Sequence, residues 1–327
     1  MNNSGIGGQA VLEGIMMRSA SSQAVAVRKS DGSIQLKTKA LQTPAWYAKV
    51  KKIPVVRGIC AFLVSMLEGI RAVNDSASML DDSDDTSGNE ETSGDGSAAN
   101  KGTGNGFGSV LTVLFAIALA ILLFTVLPYR LSRMFESWGF GISAMNLIEG
   151  GIRILIFISY LTGVSLIKDI RRTYMYHGAE HKCINCLETG HDLTVDNVLA
   201  ASRFHRRCST SFLFVVVFLS VVLFLFIRSG NPAVQLLMRI ALIPLISGIS
   251  YEMLMYAASH DNTLARVLSS PGLLMQRLTT REPDSAMAEV AIQAVEAVFD
   301  WREYLGKNDQ CQTAGRNGDS ETEGGRR

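Results

Sequence analysis

The sequence predicts a mainly α-helical, polytopic membrane protein with about four transmembrane helices and a small N-terminal β element. Three observations carry that reading. The chain of 327 residues is 47% hydrophobic with a mean hydropathy of +0.19, which is apolar for its size. Four long apolar segments follow one another between residues 109 and 258. Before them, short stretches alternate apolar and polar residues with the period of strands.

Residues 1–52 read as a cytosolic β element, clearest in "AVAVRKSDGSIQL", where two extended runs flank a turn at Ser30-Asp31-Gly32. Residues 53–74 are apolar but carry Arg57, Glu68 and Arg71, which suits an interfacial or re-entrant amphipathic helix better than a spanning one. Residues 75–108 are almost wholly small and polar and cannot bury enough apolar surface to offset ordering entropy, so a disordered linker is expected. The apolar segments run Val110–Leu127, Asn146–Ile167, Ser211–Ile227 and Val234–Ala257. Each is about long enough to cross a hydrocarbon core of roughly 30 Å. In the second, Glu149 and Arg153 stand one turn apart near the start, where they can neutralise one another. A cytosolic helical region over 259–305 and a disordered tail over 306–327 complete the chain.

Lysine and arginine set the expected orientation. Arg171, Arg172, Lys182, Arg203, Arg206 and Arg207 lie between the second and third segments, and Arg28, Lys29, Lys37, Lys39, Lys49, Lys51, Lys52 and Arg57 precede the first, against Arg130, Arg133 and Arg228 on the other side. Both termini are therefore expected in the cytosol. The N-terminus lacks the charged and apolar regions of a cleavable signal. A net charge of +1 without a basic stripe excludes nucleic acid as an expected partner, and the five cysteines do not form a secreted disulfide pattern.

Chemistry concentrates in the loop 168–210, around "YHGAEHKCINCLE". His177 and His181 at i and i+4 share a helix face and form a natural pair of metal ligands, with Glu180 between them. His177-Gly178-Ala179-Glu180-His181 has the H-x-x-E-H order in which two histidines hold zinc and the glutamate activates water. A third ligand is required, and His205, Glu252 and His260 are available at the same membrane face. A second constellation, Cys183-x2-Cys186 followed by His205-x2-Cys208, has the spacing of a structural zinc clip. Taken singly, any of these side chains could merely bond backbone or headgroups. Their convergence on one face favours a site.

Five separated stretches carry a family likeness: Gly7–Ser19 (GGQAVLEGIMMRS), Tyr176–Lys182 (YHGAEHK), His205–Phe212 (HRRCSTSF), Ile243–Glu252 (IPLISGISYE) and Leu278–Asp284 (LTTREPD). Together they resemble the YqhQ-like family of bacterial membrane proteins, from about Gly7 to Trp301 with the linker omitted. The resemblance implies a metal-dependent enzyme of unknown substrate in the bacterial cytoplasmic membrane. It also singles out Gln9, Glu13, Arg18, Arg57, His177, Glu180, His181, Glu188, His205, Cys208, Glu252, Gln276 and Glu282. Where the family pattern reads H-P-R-C-G-T, this chain has His205-Arg206-Arg207-Cys208-Ser209-Thr210, and Cys183 stands outside the pattern.

The expected function is hydrolysis or group transfer at the cytosolic membrane surface. A divalent metal, zinc by its ligands, would lie between His177, His181 and a third ligand from His205, Cys208 or Glu252, with Glu180 as base. The substrate would be a lipid, a membrane protein or a soluble molecule. The alternative is a non-enzymatic membrane regulator or scaffold, with Cys183, Cys186, His205 and Cys208 as a structural zinc site. Transport is disfavoured, because few ionisable residues fall at mid-depth and no inverted repeat is visible.

Overall fold

The computed structural model describes residues 4–41, 50, 52–81, 106–227, 229 and 231–307. Strands β1 (Gly7–Val11), β2 (Gly14–Arg18), β3 (Ser22–Arg28) and β4 (Ile34–Ala40) form one antiparallel sheet in chain order. Gly32, at φ +85°, makes the sharp return between β3 and β4. The sheet is covered on both faces. Ile15, Met17 and Ala26 pack with Tyr176, Ala179, Met287 and Val290 on one side, whereas Val11, Met16, Val25 and Val27 pack with Ala72 and Met79 on the other. The period of two along each strand sorts them.

The second face is covered by α1 (Val56–Asp81), a helix buried through Gly58, Gly69, Ala72, Ser76 and Met79 while Leu63, Met66, Leu67 and Ile70 stay exposed. The expected amphipathic helix thus exists but continues past 74. Residues 75–81, read as the start of a linker, are helical because Ser76 and Met79 extend the buried stripe onto the sheet. Residues 82–105 of the expected linker and 308–327 of the expected tail lie outside the described residues.

The apolar part comprises α2 (Gly106–Ile121), a π turn (Leu122–Val126), α3 (Leu127–Arg133), α4 (Ile142–Val164), α7 (Ser209–Phe224) and α8 (Pro232–Ser259). Three continuous helical stretches among the described residues, Leu114–Trp138, Ser143–Val164 and Ala233–Ser259, are long and apolar enough to cross a membrane. The third expected segment is shorter. Its apolar helix Thr210–Phe224 spans only about 22 Å at 1.5 Å per residue, and Asn146 Nδ2 donates to the carbonyls of Phe224 and Ile227 where it ends.

The bundle holds one feature that the linear sequence concealed. Glu149 accepts from Arg153 at 2.8 Å and from Arg239, 90 positions away, at 2.7 Å, and all three are buried. Arg153 Nε also donates to the carbonyl of Phe124, inside the π turn, and both guanidinium groups lie over the Phe224 ring. The expected self-neutralised pair is therefore a triad joining two helices.

At the other end of the bundle stand α5 (Lys168–Glu188), α6 (Val195–Ala200), α9 (Thr263–Thr279) and α10 (Ser285–Glu296). Thr194, Asn262 and Asp284 cap α6, α9 and α10 by accepting from backbone N–H groups in the first turn, as short polar side chains do. Helix α5 occupies the first half of the expected loop, from Lys168 to Glu188, without a break. It packs against β1, β2 and α10 in the core that contains Ala179, Cys183, Ile184 and Leu187.

Candidate metal centre

Helix α5 brings His177 and His181 to one face, one turn apart, with ring centroids 4.4 Å from each other. Gly178 makes that position attainable. A Cβ there would stand 1.9 Å from the carbonyl oxygen of Arg281, so only glycine lets α5 lie against the segment that follows α9. The last residue of α9 supplies a partner to the site. His177 Nδ1–H donates to the Thr279 carbonyl at 2.9 Å, and His181 Nδ1–H donates to the Arg203 carbonyl at 2.6 Å. A carbonyl can only accept, so each Nδ1 carries the proton and each Nε2 is turned inward.

Cys208 completes the group. It caps α7, with Sγ accepting from the Thr210 N–H at 3.3 Å, and Sγ lies 3.2 Å from His177 Nε2. The ligand atoms of His177, His181 and Cys208 all lie within 4.8 Å of one another. Burial opposes charge on this thiol, but the two imidazoles outweigh it and hold Cys208 well below its ordinary value. Burial likewise opposes charge on His177, and the adjoining thiolate with Glu180 raises it to about 9. His181 moves up for the same reasons. The start of a helix adds a favourable field for the thiolate. Two imidazole nitrogens and one thiolate sulfur are donors that suit zinc. His181 Nε2, in a residue 1% exposed, has no hydrogen-bond partner among the described residues. A buried nitrogen aimed at a thiolate fits a metal ion.

Glu180 stands beside the group, its Oε2 3.6 Å from His181 Nε2 and 3.9 Å from His177 Nε2, too long for hydrogen bonds. Gly8 of β1 permits this. A Cβ there would meet the Glu180 Cγ at 2.8 Å, so the sheet closes directly onto the glutamate.

Other singled-out residues hold the loop that carries Cys208. Gln276 grips His205 twice, Oε1 accepting from its N–H at 2.8 Å and Nε2 donating to its carbonyl at 2.7 Å, and reaches Ser211 Oγ at 3.1 Å. Lys182 Nζ donates to the Leu199 and Ala201 carbonyls at 2.8 Å and pairs with Glu282 at 3.0 Å. Asn185 donates to the Ser202 and Phe204 carbonyls. Lys182 and Asn185 were not singled out in the sequence. A residue whose work is to bond backbone carbonyls leaves no motif.

His205 lies next to the group rather than in it. Its ring centroid is 5.7 Å from that of His181, and its Nε2 is 3.5 Å from Glu188 Oε2, a carboxylate that also accepts from Arg207 and from Ser4. Gln9 rests against Gly69 of α1, Glu13 pairs with Arg172, and Arg18 pairs with Glu68. These three tie the sheet to α1 and α5.

Two expectations need correction. Glu252 is not among the converging donors: both of its oxygens bond Arg57, and one also accepts from the Val55 N–H, so it anchors the start of α1 to α8. Nor do Cys183, Cys186, His205 and Cys208 assemble into a clip. Because α5 is one continuous helix, Cys186 falls about 180° around from His177 at 3.6 residues per turn. Its thiol bonds the carbonyls of His191 and Asp192, and burial pushes it up to about 11, while burial also raises the Cys183 thiol in the apolar core. Such cysteines are small core residues. His191 and His260 are exposed, the first bonded to Thr189 and the second stacked on Tyr256.

The family described as protein of unknown function (DUF1385) matches residues 53–301. The uncharacterized protein YqhQ of Bacillus subtilis (strain 168) is 32% identical over 293 residues, a stretch that covers 88% of this chain and 90% of that protein. No solved structure matches. On the extent of the two matches, the chain belongs to the DUF1385 family, of the YqhQ type.

Proposed function

We propose that this protein is a metal-dependent hydrolase or group-transfer enzyme of the cytoplasmic membrane, with zinc held by His177, His181 and Cys208 at the cytosolic surface. The observation that carries the reading is the arrangement of the two imidazoles. Each is tied back through Nδ1 to a carbonyl, and the inward Nε2 atoms converge on a thiolate with Glu180 alongside. Three protein ligands are the usual number where a metal keeps a position for chemistry. When bound, the ion would supply Lewis acidity. Glu180 would accept the proton of the attacking water and return it to the leaving group. The cytosolic placement rests on the lysines and arginines that flank the apolar segments.

The test is elemental mass spectrometry on detergent-purified protein. Wild type and Cys183→Ser/Cys186→Ser are expected to hold one equivalent of metal, and His177→Ala/His181→Ala and Cys208→Ser to hold none. Metal lost with Cys183 and Cys186 instead would reject the assignment. A structural role for the same ion is favoured by how deeply it would sit, since His181 is 1% and Cys208 6% exposed. Glu180→Gln separates the two. A catalytic site keeps its metal and loses cellular function in this variant, whereas a structural site keeps both. Reporter fusions at Arg130 and Asn262 test the orientation, and a cytosolic signal at Arg130 would reject it.

A further inference from the structure

A groove of about 580 Å3 runs up to His177 between α1, β1, α5 and the adjoining ends of α7 and α8. It falls within the usual size range of small-molecule sites. Its lining divides by chemistry. His177, Arg207, Gln9 and Thr210 are polar, whereas Phe62, Met66, Phe212, Leu213, Leu254 and Met255 make the remainder largely apolar. Phe62 of α1 and Phe212 of α7, both in its wall, pack together with ring centroids 5.2 Å apart.

The apolar wall is continuous with the surface that faces lipid. Leu213 lies in the apolar helix Thr210–Phe224 and Met255 in the span Ala233–Ser259, and both are exposed as well as lining the groove. Met66 is likewise exposed, on the face of α1 that also presents Leu63, Leu67 and Ile70. A soluble polar molecule would find a greasy channel here. A chain already dissolved in the bilayer would enter sideways between α1 and the ends of α7 and α8 without crossing water. Moving such a chain from lipid to an apolar groove leaves its hydrophobic free energy nearly unchanged, so the groove positions the molecule and the polar end selects it.

We infer that the groove seats one acyl chain of a membrane amphiphile and presents its polar head at His177. The substrate class of the proposed enzyme is then a lipid with a hydrolysable head, which deepens the metal-site reading and rests on it. Arg207 borders the polar end while paired with Glu188, so the head lies beside a guanidinium whose position is already fixed.

The test is photocrosslinking of the full chain in lipid nanodiscs with hexadecanoic acid bearing a mid-chain diazirine, read by peptide mass spectrometry. Labels are expected to gather on residues 61–66, 207–213 and 251–255. Ser65→Trp should fill the groove and lower that labelling by about tenfold, the factor that a clash of about 1.4 kcal/mol produces. Leu155→Trp, at a bilayer-facing position of α4, should leave it unchanged. Ala61→Leu is a gentler obstruction for use where the tryptophan variant does not fold. Labels spread evenly over the lipid-facing helices, and indifferent to both obstructions, would overturn the inference. Metal content in the same samples keeps the two readings apart. Groove labelling that persists in His177→Ala/His181→Ala, or in wild type found to lack metal, upholds the groove alone. Bound metal with no groove labelling upholds the metal site alone.

Discussion

Two buried polar clusters occupy opposite parts of this chain, and they are finished differently. The Glu149–Arg153–Arg239 triad sets two guanidinium groups on one carboxylate, with aromatic faces against both arginines and Arg239 Nε lacking a hydrogen-bond partner among the described residues. The His177–His181–Cys208 group leaves a buried imidazole nitrogen without a partner among the described residues, beside a thiolate held by the imidazoles and the Thr210 N–H. The first has the form of a joint between helices. The second has the form of a receptor for something the chain does not supply. Burial alone does not mark a site, since the triad is as deeply buried as the histidines. What marks it is the convergence of metal-ligand atoms, those of His177, His181 and Cys208 within 4.8 Å of one another, with each imidazole held in place by a carbonyl.

The comparison breaks first at the triad. Glu149→Leu leaves two arginines facing one another, and the loss of one partner in a buried pair costs about 3–5 kcal/mol. The melting temperature in detergent should fall further than in any other single variant here. Adding Arg153→Met and Arg239→Met to it removes the stranded charges and should recover most of that stability, with metal content at the wild-type level. Loss of metal in the folded triple variant would show that the two clusters are coupled and that the division drawn here is wrong.

Gly178 sharpens the other side. Alanine is the better helix former by about 1 kcal/mol, yet here its Cβ would meet the Arg281 carbonyl at 1.9 Å. Gly178→Ala should therefore destabilise by about 1–3 kcal/mol, the cost of overpacking, and not stabilise. The clash pushes at the segment just after α9, whose last residue carries the Thr279 carbonyl, so metal should weaken as well. Calorimetry with and without a chelator separates the two effects, and a melting temperature raised by the alanine would reject the packing argument.

Much of this was legible because local chemistry and periodicity agree. The alternation of residues 22–28 and 34–40 gave a real hairpin, the H-x-x-E-H spacing put two imidazoles on one face, and the apolar segments are helices. The rest depended on tertiary contacts that leave no trace in spacing. Glu252 and Cys208 looked equal as third ligands, since both lie at the same end of the bundle, and only the position of Arg57 removes the first. Cys183 and Cys186 have zinc-clip spacing, but the continuity of α5 turns Cys186 away from the histidines. Arg239 reads as an isolated charge in an apolar segment until Glu149 is found beside it. The carbonyls of Thr279 and Arg203, which orient both histidines, could belong to any residue type.

Gln276 tests whether the loop is prepared in advance. Its amide makes three bonds to the chain around His205 and Ser211, so Gln276→Leu frees the segment that ends in Cys208 without touching a ligand. Removing such a support typically lowers metal affinity by about 10–100-fold. A competition titration with a chromophoric chelator should show that loss with the metal-free melting temperature reduced only modestly. Equal affinity in the variant would mean that the three ligands hold their own positions.

The smallest expected effect concerns Glu188, which links the N-terminal segment to the site through Ser4, Arg207 and His205. Burial raises its pKa, but the bond to His205 and the charge of Arg207 outweigh it and leave the carboxyl below the ordinary value. A carboxylate depressed in the folded state stabilises at every pH above its unfolded value near 4.3, and that contribution fades as pH falls through the lower folded value. Glu188→Gln should therefore cost about 1 kcal/mol at neutral pH and progressively less below pH 4. Melting curves of both proteins from pH 7 downward would converge if this is right. A gap that stays constant with pH would assign the loss to packing and hydrogen-bond geometry, leaving the charge of Glu188 without a part in holding the N-terminal segment to the site.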